Sequence, residues 1–188
     1  MARIPYLDLA TAPESVKRMI APDRPNNIAL LFGHAETNWP RLADLLLSIL
    51  GEQSLANELR EIAILRVAGL RQAQFEWDQH VAISKAAGVS LEQIDAIAGG
   101  DIEAGCFSEL EKLVLEAATQ LVREGLVDEA LVSKLADHLS HREVVELFVA
   151  SGIYEAVAKL MNILELDPQE SMTSDFADAV NRGAVDPS

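Results

Sequence analysis

One cysteine, Cys106, stands in 188 residues. A single thiol excludes an intrachain disulfide and any zinc site built on cysteines. Basic residues are scarce too: 15 Lys and Arg stand against 30 Asp and Glu, a formal net charge of −15, with no Lys/Arg cluster. Such a chain repels phosphate backbones and anionic lipid, so neither nucleic acid nor a membrane surface is expected as partner. Aromatics make up only 5%, and no segment of useful length alternates apolar and polar residues. Both facts argue against strands. Apolar runs such as 45–47 and 62–65 fall far short of the roughly 20 residues a bilayer-spanning helix needs. Residues 1–8 lack a basic stretch followed by an apolar one. No signal peptide is expected, and a cytoplasmic location is. Gly99-Gly100 has no strand before it, so no phosphate loop is present and no cofactor is expected.

What the chain does have is apolar mass, 49% of its residues, much of it Ala and Leu. That predicts one all-α domain with a core large enough to fold unaided. Helix starts are marked by Thr11-x-x-Glu14, Ser90-x-x-Gln93, Ser108-x-x-Glu111 and Ser140-x-x-Glu143. Each has capping-box form: the hydroxyl accepts from an orphan N–H, and the residue three later reaches back. Pro40 suits a first helical turn, and Gly51, Gly88, Gly99-Gly100 and Gly125 suit stops. The predicted helices are 13–20, 27–34, 40–50, 55–70, 73–87, 91–98, 109–124, 129–138 and 141–164. They divide the chain into an extension, 1–24, a helical domain, 25–166, and an acidic tail, 167–188, able to form a short helix around 174–178.

Helix 55–70 carries apolar residues at 62, 64, 65 and 67, spread all round its axis. A helix of that kind is buried in a core or an interface. Glu61 and Arg66 are then charges in a place where charge needs a partner. Five residues apart, they point roughly 140° from each other, so each must find that partner elsewhere. In the next helix Glu76 and His80 stand at i and i+4, within side-chain reach. A carboxylate beside an imidazole fixes its tautomer and suits it to acid–base work near neutral pH. A tight 70–72 connection would fold the two helices together, so that Glu61, Glu76 and His80 converge. The same spacing also describes an ordinary solvated helix face. Glu61, Glu76 and His80 form a donor set that suits Fe(II), Mn or Zn, yet no His-x-His or dense His/Asp cluster accompanies them. No metal is expected.

The string Glu61-Ile62-Ala63-Ile64-Leu65-Arg66-Val67, followed by Glu76-Trp77-Asp78-Gln79-His80, resembles the carboxymuconolactone decarboxylase and alkylhydroperoxidase D-like family. Residues 87–94, 109–125 and 142–165 extend the resemblance, which covers about 25–166. It implies an all-helical bundle assembled as a trimer or hexamer, with sites near subunit interfaces. In the peroxidase branch of that family the Glu is followed 12 and 15 residues later by two cysteines and 19 later by a His. The matching positions here are Glu61, Ala73, Glu76 and His80. The Glu and His match, and both cysteines are absent. Peroxidase chemistry needs one thiolate to attack peroxide and a second thiol to resolve it, and neither Ala73 nor Glu76 can supply one.

The expectation is therefore a proton-moving enzyme of decarboxylase or isomerase type acting on a small lactone or oxo-acid. Glu61, Glu76 and His80 are its candidate catalytic residues. Arg66, His34, Trp77 and Tyr154 are candidate substrate contacts, with Asn162 beside Tyr154 on the last helix another polar group in need of a partner. Two other readings stand beside it. One is alkylhydroperoxidase-like antioxidant activity, which could run only through Cys106. The other is a non-catalytic oligomeric helical module. His138 and His141 read as capping or surface groups.

Overall fold

The structure is a computed structural model, and it describes residues 1–17 and 26–169. Among the described residues the chain is all-helical: α1 (Glu14–Lys17), α2 (Asn27–Phe32), α3 (Trp39–Gly51), α4 (Asn57–Arg71), α5 (Gln74–Ala86), α6 (Leu91–Gly99), α7 (Glu109–Glu124), α8 (Glu129–His138) and α9 (His141–Leu164). The end of the helix expected at 13–20 and the tail helix expected near 174–178 lie outside the described residues.

Three of the four expected capping boxes form. Ser90, Ser108 and Ser140 each accept from the backbone three residues on, and Gln93, Glu111 and Glu143 return a bond. Thr11 does otherwise: its hydroxyl donates to Asp8 O in the turn before α1. Gly100 and Gly125 end α6 and α7 in the left-handed conformation, at φ 78° and 71°, where a Cβ would be strained. Gly51 is instead the last residue of α3, with Glu52 after it. Pro40 does lie in the first turn of α3.

Helix α4 is the axis of the molecule. It packs against α5, α6, α7 and α9, and everything from Leu59 to Ala68 is buried. The prediction that a helix apolar on every face must be enclosed is met inside a single copy, with no second subunit required to cover it. The larger apolar cluster joins α4 to α6, α7 and α8 through Ile62, Leu65, Leu115, Val114 and Leu135. A second holds α2 and α3 against the C-terminal part of α9, through Leu31, Phe32, Trp39, Val157 and Met161. A third, Ile49, Leu50, Ile64, Ile83, Ala150 and Tyr154, brings α3, α4, α5 and α9 to one point.

The α4–α5 connection sets the geometry there. Gln72 takes φ 53°, Ala73 N–H donates to Ala68 O and Gln72 N–H to Gly69 O. This is the left-handed closure usual at helix ends. It turns the chain within two residues, so α5 runs back along α4 and delivers His80 to Glu61.

Candidate active site

Glu61 is the centre of the constellation and has no solvent exposure. Arg60 Nε donates to its Oε1 at 2.9 Å, and His80 Nδ1 lies 2.8 Å from its Oε2. Since the carboxylate can only accept, the proton on this bond belongs to His80 Nδ1. Arg60 is itself fixed by donating from Nη1 to Leu50 O at 2.9 Å and to Asn57 Oδ1 at 2.6 Å. Burial pushes the Glu61 carboxyl up, but His80 and then Arg60 outweigh that and hold it below the usual carboxylate range. It is an ionised group in a dry place, stabilised from both sides.

Tyr154 stands edge-on to the His80 ring, with centroids 4.8 Å apart at 89°. Burial first, then the charges of Glu61 and Glu76, push its phenol well above the ordinary value of 10.0, so it stays neutral. Glu76 behaves in the opposite way to Glu61. It is buried, and among the described residues neither carboxyl oxygen meets a hydrogen-bond partner. Burial and the neighbouring charge of Glu61 raise it well above 4.5. Both causes favour the neutral carboxylic acid at Glu76 over its carboxylate.

The expected trio is thus brought together, with its pairing exchanged. His80 is oriented by Glu61 across the helix pair, not by Glu76 on its own helix. An isolated i,i+4 pair is worth only tenths of a kcal/mol. A buried carboxylate already held by a guanidinium is the stronger partner for the imidazole N–H. Tyr154 joins the site, and Arg60, Ser84 and Ser151 are additions that sequence reasoning missed. Ser84 lies one turn beyond His80 on α5 and Ser151 one turn before Tyr154 on α9. The hydroxyls of both are buried and unpartnered among the described residues. The polar positions 76, 80 and 84, four apart on a buried helix, were the available signal for Ser84.

The other candidates lie elsewhere. Arg66 leaves the opposite side of α4, and its Nε donates to Thr119 Oγ1 on α7 at 2.9 Å. His34 is exposed and donates from Nε2 to Pro5 O at 2.8 Å. Trp77 is half-buried against the larger apolar cluster and passes beside Gly69. Asn162 donates to Arg71 O at the end of α4. Arg71 is also ion-paired with Glu155 of α9. His138 and His141 are exposed at the facing ends of α8 and α9. Cys106 is half-buried in the α6–α7 loop, packed against the larger cluster. Among the described residues no group of three or more His, Cys, Asp or Glu is arranged to hold a metal ion, and no helix is long and apolar enough to cross a membrane.

The all-helical fold is that of the alkylhydroperoxidase D-like structures on which it superposes. The alkylhydroperoxidase AhpD core of an uncharacterized peroxidase-related protein from Ralstonia eutropha superposes with a TM-score of 0.78 at 16% identity, over 96% of each chain. An uncharacterized peroxidase-related protein from Silicibacter sp. gives 0.75 at 12% identity, over 89% of this chain and 90% of that one. A protein of unknown function from Agrobacterium tumefaciens, a candidate AhpD antioxidant defence protein, gives 0.65 at 19% over 74% and 95%. Residues 38–120, a segment that holds α4, α5 and the Glu61–His80 pair, match the carboxymuconolactone decarboxylase family. Among curated proteins none matches the chain by sequence.

Proposed function

We propose that this chain is an acid–base enzyme of decarboxylase or isomerase type, acting on a small lactone or oxo-acid. The observation that carries the reading is the division of labour between two buried carboxyls on adjacent helices. Glu61 is held toward its ionised form by His80 and Arg60, while burial and the charge of Glu61 push Glu76 toward its neutral form. Pairs of titratable groups whose surroundings drive their pKa values apart mark an acid and a base.

In this reading Glu61 is the positioning residue. It holds the His80 Nδ1–H, which leaves the Nε2 lone pair as the base. A proton leaves the carbon beside a substrate carbonyl for Nε2, and the C–H electron pair becomes the double bond of an enol. The Glu76 proton goes to the carbonyl oxygen, so no free enolate charge is left. Return of the Nε2 proton to the same carbon, or to a conjugated one, and of the oxygen's proton to Glu76 restores the site. The neutral Tyr154 edge fixes the imidazole plane. Placing His80 and Glu76 on one buried helix face keeps water from competing for either proton.

The test is hydrogen–deuterium exchange at the carbon next to the carbonyl, followed by proton NMR in D2O across a panel of small lactones and 2-oxo acids. The wild type should exchange at least one panel member faster than the protein-free control. His80→Ala should lose about 10²–10⁴-fold of that acceleration. Equal exchange by wild type and His80→Ala overturns the assignment.

A further inference from the structure

The opposite side of α4 holds a second charged group whose surroundings are unusual. The Arg66 side chain is 6% exposed, and a guanidinium has five N–H donors and no neutral form near physiological pH. Among the described residues it makes one hydrogen bond, Nε to Thr119 Oγ1 at 2.9 Å, and no ion pair. Thr119 is built to receive it: its own hydroxyl proton is spent on Leu115 O at 2.6 Å, so the oxygen turns a lone pair to Arg66. The guanidinium is aimed, and both of its Nη groups are left over.

The neighbours sharpen the point. Arg123 lies one turn beyond Thr119 on the same face of α7, is exposed, and makes no hydrogen bond or ion pair among the described residues. Glu116, three residues before Thr119, is the carboxylate of that face, and its Oε1 accepts from Gln120. At the end of α6, Gly100 stands over the guanidinium: a Cβ there would lie 4.0 Å from Arg66 Nη1. Arg66 feels the charge of Arg123 more than that of Glu116. In a chain of net charge −15, these two arginines form a local excess of positive charge that Glu116 offsets only in part. Both Nη groups keep some contact with solvent, so a ligand can reach them.

We infer that Arg66 and Arg123, with Gly100 as the open wall, form a binding site for a small oxyanion, a carboxylate or phosphate group of a soluble molecule. The forked guanidinium of Arg66, held by Thr119, takes two oxygens side by side, and Arg123 closes over the ligand from solvent. This site is separate from the Glu61–His80 constellation and does not depend on the function proposed for it.

Titration calorimetry with inorganic phosphate and with succinate, at an ionic strength held constant with NaCl, tests the assignment. Saturable binding of at least one is expected, and which of the two binds more tightly identifies the preferred oxyanion. Arg123→Gln changes an exposed residue and leaves the fold intact, and it should weaken the dissociation constant about tenfold. Arg66→Met should abolish binding, and His80→Ala should leave it unchanged. Heat only of dilution with both anions, binding that Arg123→Gln does not alter, or binding lost in His80→Ala overturns the proposal.

Discussion

Two buried glutamates sit on adjacent helices, and the same substitution should act on them in opposite directions. Glu61 has its carboxyl lowered by His80 and Arg60 against the effect of burial. Its contribution to stability is complete above about pH 4.5 and is lost as pH falls through its native value. Glu76 is raised well above 4.5, so its contribution is complete below about pH 4.5 and drains away as pH rises. While native Glu76 keeps a proton that the unfolded chain has released, stability falls by about 1.4 kcal/mol per pH unit. Glu76→Gln removes that slope, because an amide replaces the neutral acid at nearly the same volume. Urea unfolding from pH 5 to 8 should show the variant gaining on the wild type at each step. Parallel curves would mean that Glu76 is ionised in the native protein. Glu61→Gln should be destabilising by about 3 kcal/mol at pH 7, since it leaves Arg60 buried without its countercharge, and the deficit should shrink below pH 4.5. Peroxide consumption, if the protein shows any, should be unchanged by Cys106→Ser, because that thiol packs in the α6–α7 loop with no second cysteine to resolve it.

These residues also mark how far the sequence could be read. Glu61 and His80 were visible as a charge in an apolar helix and an imidazole in the next, and a short connection was enough to bring them together. The partner exchange was not visible. Spacing alone favours Glu76 for His80, and only the packing of α5 on α4 puts Glu61 nearer. Arg60 was hidden for a related reason: neighbours at i and i+1 on a helix do not normally face each other. The pairing exists because Leu50 O and Asn57 hold the guanidinium back against its own helix.

At the scale of elements, helices whose ends are written in local chemistry were legible, and those ended by tertiary context were less so. Ser90, Ser108 and Ser140 carry their caps in a four-residue pattern and form them. Ser108→Ala should therefore lower stability by about 1 kcal/mol. Thr11 has the same pattern, yet Asp8 O captures its hydroxyl. The end of α4 had no glycine to announce it. Gln72 accepts φ 53°, a conformation that costs a residue with a Cβ about 1–2 kcal/mol, because α5 must turn there to bring His80 back. Gln72→Gly relieves that strain at the expense of a looser unfolded chain. The net expectation is a gain of up to about 1 kcal/mol, read as a higher urea midpoint with an unchanged slope. A loss on substitution would show that the Gln72 side chain, and not the turn, is what stabilises the corner.

At the scale of the molecule, the two ends of the described chain meet, and the sequence offered no local sign of it because the contacts span 160 residues or more. Arg3 N–H donates to Leu164 O and its Nη1 to Ile163 O. Tyr6 OH donates to Asp167 Oδ2 and accepts from Asp167 N–H. Leu7, next along this strap, lies over Gly33 at the end of α2. There is no room for more: a Cβ on Gly33 would come within 2.7 Å of Leu7 Cδ1 and of Ala29 O, and within 2.8 Å of Val16 Cγ1. The Leu7 contact could relax by a rotamer change, but the backbone oxygen cannot move without shifting α2. Gly33→Ala should therefore overpack the second cluster and lower stability by about 1–3 kcal/mol, or roughly 2–12 °C in melting temperature for a chain of this size. The Glu61–His80 pair belongs to a different part of the core, against the third cluster, so its geometry should survive. The His80 imidazole resonances in Gly33→Ala should match those of the wild type at temperatures well below the transition. A lowered melting temperature with unmoved His80 signals is what two separately packed clusters on one helix, α9, require. Movement of both together would mean that the terminal strap and the site form a single cooperative unit.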